Sequence, residues 1–135
     1  MTSAEKRKIV ALTFRGFEVA PIQIEEMLGI EANETGKRGD PVKPGVAAVL
    51  KRSFARFAVE LDPRSRLDQV VPALLQHVGG LAAIEKVRNA VDPEFLELNI
   101  TWPVKSSDEQ EGGFLPATVI SDLARMRCAL TFGFT

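Results

Sequence analysis

An α+β fold is what this sequence predicts: a four-stranded mixed sheet, with three helical connections packed mainly on one face. Three observations predict it. Strand-like alternation and helix-like periodicity take turns along the chain in the order β-α-β-α-β-α-β, which suits a layer of helices on a sheet. Two glycine turns, Gly36-Lys37-Arg38-Gly39-Asp40 and Gly112-Gly113-Phe114, punctuate that order. At 135 residues, with 45% hydrophobic and 26% charged side chains, residues 1–135 are expected to form one domain with a full core. A ferredoxin-like arrangement with an added helix, or a relative of it, is one solution.

The first strand is expected over Lys8–Arg15. Val10, Leu12 and Phe14 fall on one face and Ile9, Ala11 and Thr13 on the other; both faces are largely apolar, so the strand is central. Gly16 ends it. Pro21 suits the first turn of a helix whose Ile24 and Leu28 lie four apart, and Gly29 is its natural stop. Residues 31–47 carry Asn33, Gly36, Gly39, Pro41, Pro44 and Gly45 and read as a long loop, with room for a short extra strand within 31–50.

Residues 48–61 read as one long or bulged strand, with Phe57, Val59 and Leu61 inward and Arg56, Ala58 and Glu60 outward. Leu67, Val70, Val71, Leu74, Leu75 and Val78 then follow the spacing of a one-sided helix, with Pro72 in its first turn. Gly79-Gly80 breaks the pattern, and Leu81, Ile84 and Val87 resume it to about Ala90. Phe95–Trp102 is the third strand, with Leu96, Leu98, Ile100 and Trp102 apolar and Glu97, Asn99 and Thr101 wet. Lys105–Gly113 is a polar loop. The last helix uses Val119, Ile120 and Leu123, and the last strand puts Cys128, Leu130, Phe132 and Phe134 on its apolar face, in the core with Trp102.

A net charge of −1 provides no long-range field to gather nucleic acid or an anionic membrane. No apolar run reaches the ~20 residues that cross a bilayer. The first eight residues are polar, unlike a secretory signal, so a cytoplasmic protein is expected. Cys128 is the one cysteine, and no intrachain disulfide can form.

No constellation adds up to catalysis. Gly36-Lys37-Arg38 fails as a phosphate loop: the preceding glycine, Gly29, is at the wrong spacing, Arg38 stands where Ser or Thr is needed, and the segment follows a helix. A solvated turn whose Asp40 pairs with a nearby cation is the simpler reading, although Lys37 and Arg38 suit an anion held by backbone amides and charge. His77 has no Gly-x-Ser-x-Gly partner and sits beside the apolar stripe of its helix. Cys128 reads as a small buried hydrophobe. One His and one distant Cys give no metal-ligand spacing, so neither metal nor cofactor is expected. Of the carboxylates, Glu97, beside Asn99 and Thr101, is the one placed to line a groove. Arg52 and Arg56 share a face with Phe54, the nearest thing to a binding stripe; a charge-protected edge strand is the plainer reading.

The chain resembles the family called domain of unknown function 4279, found mostly in bacteria. The resemblance runs through Phe14-Arg15, Leu28-Gly29-Ile30, Lys37-Arg38-Gly39-Asp40, the strand at Phe57, Gly112-Gly113-Phe114, Leu123 and Phe132-Gly133-Phe134, and covers nearly the whole chain. The family usually carries Trp where Phe57 stands and often ends in an acidic residue and a Tyr; this chain has no Tyr. The resemblance implies no catalytic residues. By size and fold such domains are similar to immunity proteins of toxin systems, which act by surface recognition.

The expectation is therefore a non-enzymatic domain that binds another protein or itself as a homodimer, through Lys37, Arg38, Asp40, Arg52, Arg56 and the acidic loop Asp108–Glu111. The alternative is a small-ligand or anion-binding domain, or a weak enzyme, using Lys37 and Arg38 with Glu97 or Asn99 in a cleft.

Overall fold

The computed structural model describes residues 7–103 and 113–135. Their elements run β1 (Lys8–Arg15), α1 (Pro21–Leu28), β2 (Glu34–Gly36), β3 (Phe54–Leu61), a 3-10 turn (Leu67–Gln69), α2 (Val70–Val78), α3 (Leu81–Val91), β4 (Phe95–Trp102), α4 (Ala117–Met126) and β5 (Ala129–Phe134). The fold is α+β with one mixed sheet in the order β2-β3-β1-β4-β5. Neighbours are antiparallel except β4 and β5, which are parallel. β2-β3-β1-β4 with its helical connections has the β-α-β-β-α-β order of ferredoxin-like sheets. The α4–β5 unit extends it past β4.

Among the described residues the sheet has five strands and the fold four helices, one more of each than expected. The added strand is β2, inside the segment where a short extra strand had room. Three residues are too few to show an alternating pattern, and what defines β2 is its partner: Glu34, Thr35 and Gly36 pair with Arg56, Ala55 and Phe54. Gly36 is required there because the Phe54 ring and Leu50 lie over it, and a Cβ would come 2.7 Å from Leu50 Cδ1. The added helix arises because Gly79 and Gly80, both at positive φ, split the connection between β3 and β4 into α2 and α3, bent by 63°. Pro72 sits in the first turn of α2, where it removes no hydrogen bond.

The strand expected from residue 48 begins only at Phe54. Residues 37–53 instead fold back as an arm, held by Gly39 N to Leu50 O (2.9 Å), Leu50 N to Asp40 O (2.8 Å) and Val42 N to Ala48 O (2.9 Å). β3 is therefore an interior strand where β2 covers it, and the Asn33 side chain extends the cover by accepting from Ala58 N at 2.8 Å.

All four helices pack on one face of the sheet. Val10, Leu12, Phe14, Phe57, Leu98 and Ile100 are fully buried there against Ile24, Val71, Leu74 and Ile84. Phe14 and Phe57 meet edge-on with centroids 6.1 Å apart. Among the described residues the opposite face has no helix; its centre carries small side chains, Ala11 in register with Ala58, Thr13 two residues on, and Thr131 beyond Asn99. Among the described residues, no single helix is long and apolar enough to cross a membrane. The bent pair α2–α3 has the length and composition, but its apolar residues Val70, Val71, Leu74, Val78, Ile84 and Val87 belong to the core.

Candidate functional site

Because β1 is antiparallel to both β3 and β4, its C-terminal end meets their first residues. Arg15 lies in register between Phe54 and Phe95 on the uncovered face. The next residue, Gly16, ties the three strands: its N–H donates to Ser53 O (2.9 Å), and its carbonyl accepts from Glu94 N (3.0 Å). Its φ of 82° is one that glycine adopts freely, and the Glu94 side chain folds over it so closely that a Cβ would lie 2.8 Å from Glu94 Cβ.

From Glu94 a chain of charges and rings spreads across this end. Arg52 Nε donates to Glu94 Oε2 at 3.0 Å, and the Arg52 guanidinium lies 5.0 Å from the Phe95 ring centre. Arg15 sits 5.6 Å from the Phe54 ring centre and 3.7 Å from Glu97. Both ion pairs are partly exposed, where such contacts contribute about 0–1 kcal/mol each. They orient groups more than they stabilise the fold.

Two clefts open on either side of Glu94. One, of about 390 Å³, is lined by Glu18, Arg38, Lys51, Arg52, Asp92 and Glu94 with Ser53 behind them. Its charges balance, and Arg38 reaches Glu18 at 3.8 Å. The other, of about 320 Å³, is lined by Arg15, Arg88, Glu94, Phe95, Glu97 and Arg127, with Leu96 and Ala129. Arg88 comes from the last turn of α3; Arg127 caps α4 in the left-handed conformation, φ 53°, where glycine is the usual residue.

The structure brings some of the expected site residues together and scatters others. Arg38 and Arg52 share the first cleft, and Arg38 N is fixed by Ser53 Oγ at 2.9 Å. Glu97 lines the second. Lys37 and Asp40 stand exposed at the base of the arm, outside both clefts, and Asp40 has no ion pair among the described residues, contrary to the cation partner its turn suggested. Arg56 lies mid-sheet on the uncovered face, in register with Glu34 and Thr13. Arg52 precedes β3 rather than sharing a strand face with Phe54 and Arg56. Asn99 is committed to the sheet, donating to Thr131 Oγ1 at 2.7 Å. Asp108–Glu111 lies outside the described residues.

His77 is exposed on the last turn of α2. Cys128 is half-buried just before β5, with its sulfur 3.7 Å from Leu123 O; burial pushes its thiol pKa up, against a weaker lowering by the local backbone and the Arg88 charge. Among the described residues, no three His, Cys, Asp or Glu side chains are grouped to hold a metal ion.

A second surface departs from its sequence pattern. Strand alternation puts Phe132 and Phe134 in the core; they are 39% and 51% exposed. Their register opposite Ile100 and Trp102 does set them on the helix side, but β5 is the last strand of the sheet and they project at its rim, stacked on each other with centroids 5.6 Å apart. Trp102, one strand further in, is buried at 3% with the Lys8 ammonium 4.5 Å from its ring centre. Sequence reasoning also misses Glu94, Arg88 and Arg127. The one local hint is Arg127, a long cation directly after a helix where glycine or asparagine is customary.

The family described as Domain of unknown function (DUF4279) matches residues 5–133. No curated protein and no solved structure matches. With the match running over nearly its whole length, the chain belongs to the DUF4279 family.

Proposed function

We propose that the protein is a recognition domain that takes up an extended segment of another protein along the outer edge of β5. The observation that carries this reading is the contrast between the two edges of the sheet. β2 is three residues long, carries Glu34 and is continued by the Asn33 side chain, which occupies the next backbone donor of β3. These are the usual means of blunting an edge. β5 has six residues, Ala-Leu-Thr-Phe-Gly-Phe, with no charge and no proline, and no described residue pairs with its outer side. Thr135 N donates inward to Trp102 O at 3.0 Å, so by the two-residue period of a strand the amides of Leu130, Phe132 and Phe134 face outward. An added strand gains those backbone bonds, and the stacked rings give it side-chain purchase.

Immunity-type blocking of a toxin is the finer form of this reading, and finding a toxin gene next to this one would support it. The test is a pull-down from the native host with wild-type protein and the Phe132→Lys variant, together with light scattering. A stoichiometric partner held by wild type and lost with Phe132→Lys supports edge recognition, and concentration-dependent dimers lost in the same variant identify the partner as a second copy. A monodisperse monomer with no partner above background, or a partner retained by Phe132→Lys, refutes it.

A further inference from the structure

The cleft of about 320 Å³ beside Glu94 carries more positive charge than its own acids neutralise. Arg15 is matched by Glu97 at 3.7 Å, and Glu94 is matched by Arg52 at 3.0 Å. Arg88 and Arg127 are left. Neither side chain has a hydrogen bond or ion pair with a described residue, and Arg88 Nε is buried with no acceptor among them. A buried donor left unpaired costs about 1–3 kcal/mol, more when charged. The nearby Glu85 does not relieve it, because Glu85 already accepts from Arg125 at 3.1 Å.

The simplest alternative is that these cations neutralise helix ends. α3 and α4 both finish here, at Val91 and Met126. Each helix end presents roughly half a negative charge. Two ends offset about one of the two spare positive charges, and about one remains. That remainder matches a singly charged anion better than a dianion. Guanidinium groups grip carboxylates in a two-pronged geometry. The rest of the wall is apolar: Phe95, half exposed, with Leu96 and Ala129. The volume is at the small end of ligand pockets. Arg127 also occupies a left-handed position that a glycine would hold at less cost.

We propose that this cleft binds the carboxylate of a small organic acid, held by Arg88 and Arg127, with the acid's apolar body against Phe95. The site touches β5 only at its first residue, Ala129, away from the edge of residues 130–134, and either proposal stands without the other.

The test is an NMR titration of the full chain with benzoate, acetate, phosphate and chloride at matched ionic strength. Benzoate should give saturable shifts centred on the amides of Phe95, Leu96, Arg127 and Ala129, with acetate binding several-fold more weakly because it has no ring to place on Phe95. Arg88→Gln and Arg127→Gln should each weaken benzoate at least tenfold, Arg88→Lys should recover only part of the loss, and Arg38→Gln in the neighbouring cleft should bind as wild type. Arg127 is exposed, so its variant keeps the test open even where Arg88→Gln fails to fold. No saturable benzoate shift, equal affinity in Arg127→Gln, or an equal loss in Arg38→Gln overturns the site. Tighter binding of phosphate than benzoate overturns the choice of a singly charged ligand.

Discussion

Gly16→Ala should be among the most damaging single-methyl changes in this protein, and its cost can be built from two parts that other glycines isolate. Gly29 caps α1 at φ 73° with nothing within 4 Å of where an added methyl would sit, so Gly29→Ala measures the left-handed backbone alone, about 1–2 kcal/mol. Gly36 has an ordinary φ but lies under Phe54 and Leu50, so Gly36→Ala measures crowding alone, about 1–3 kcal/mol. Gly16 combines a φ of 82° with Glu94 Cβ and Cγ at 2.8 and 2.9 Å, giving about 2–5 kcal/mol as the sum of the two. Urea unfolding of the three variants, read as a shift in midpoint at constant slope, makes the comparison. The reasoning fails if Gly16→Ala costs no more than Gly29→Ala. That result would show Glu94 swinging away freely, and the knot joining β1, β3 and β4 would then be looser than its 2.9 and 3.0 Å hydrogen bonds indicate.

Phe14→Ala, which removes a fully buried ring in edge-on contact with Phe57, should cost about 3–5 kcal/mol in the same unfolding assay. Asn33→Ala strips the acceptor from Ala58 N and should cost about 1 kcal/mol, while raising exchange of the Ala58 amide measured by hydrogen–deuterium exchange. The Cys128 thiol is held above its ordinary value by burial, so its neutral form is favoured in the folded state; its contribution to stability is present below the unfolded thiol value and is lost as pH rises through the folded one. A thiol-modification rate profile should therefore turn upward later than that of a free cysteine, and later still in Arg88→Gln, where a charge that lowers the value is gone.

Long, regular segments are legible in the sequence because burial imposes a period. The stripe Val70, Val71, Leu74 and Val78 is one fully buried helix face, and Leu96, Leu98, Ile100 and Trp102 are the buried side of β4. Period says which face a residue is on, and not where its strand lies across the sheet. That is why alternation puts Phe132 and Phe134 on the right side and wrongly buries them: strand order, which no local pattern encodes, sets β5 at the rim. β2 can be allowed for within residues 31–50 but not located, for the related reason that its identity rests on residues 54–56, about 20 residues away. The clefts are half legible. Arg38, Arg52 and Glu97 carry conspicuous chemistry, whereas Arg88 and Arg127 look like solvated helix cations until α3 and α4 are found to end against the start of β4.

β4 runs from one proposed site to the other. Its first residues, Phe95 and Glu97, wall the arginine cleft, and its last, Trp102, is in register with Phe134 at the rim, about 23 Å away at strand rise. The chain holds a single indole, so its emission is a built-in witness to one end only. Occupancy of the rim should alter that light, and an acid seated in the cleft should leave it untouched unless the strand itself shifts. One fluorimeter trace thus tells the two surfaces apart, and any cross-talk it reveals has two strands to travel along, β4 and the β5 whose first residue, Ala129, also lines the cleft.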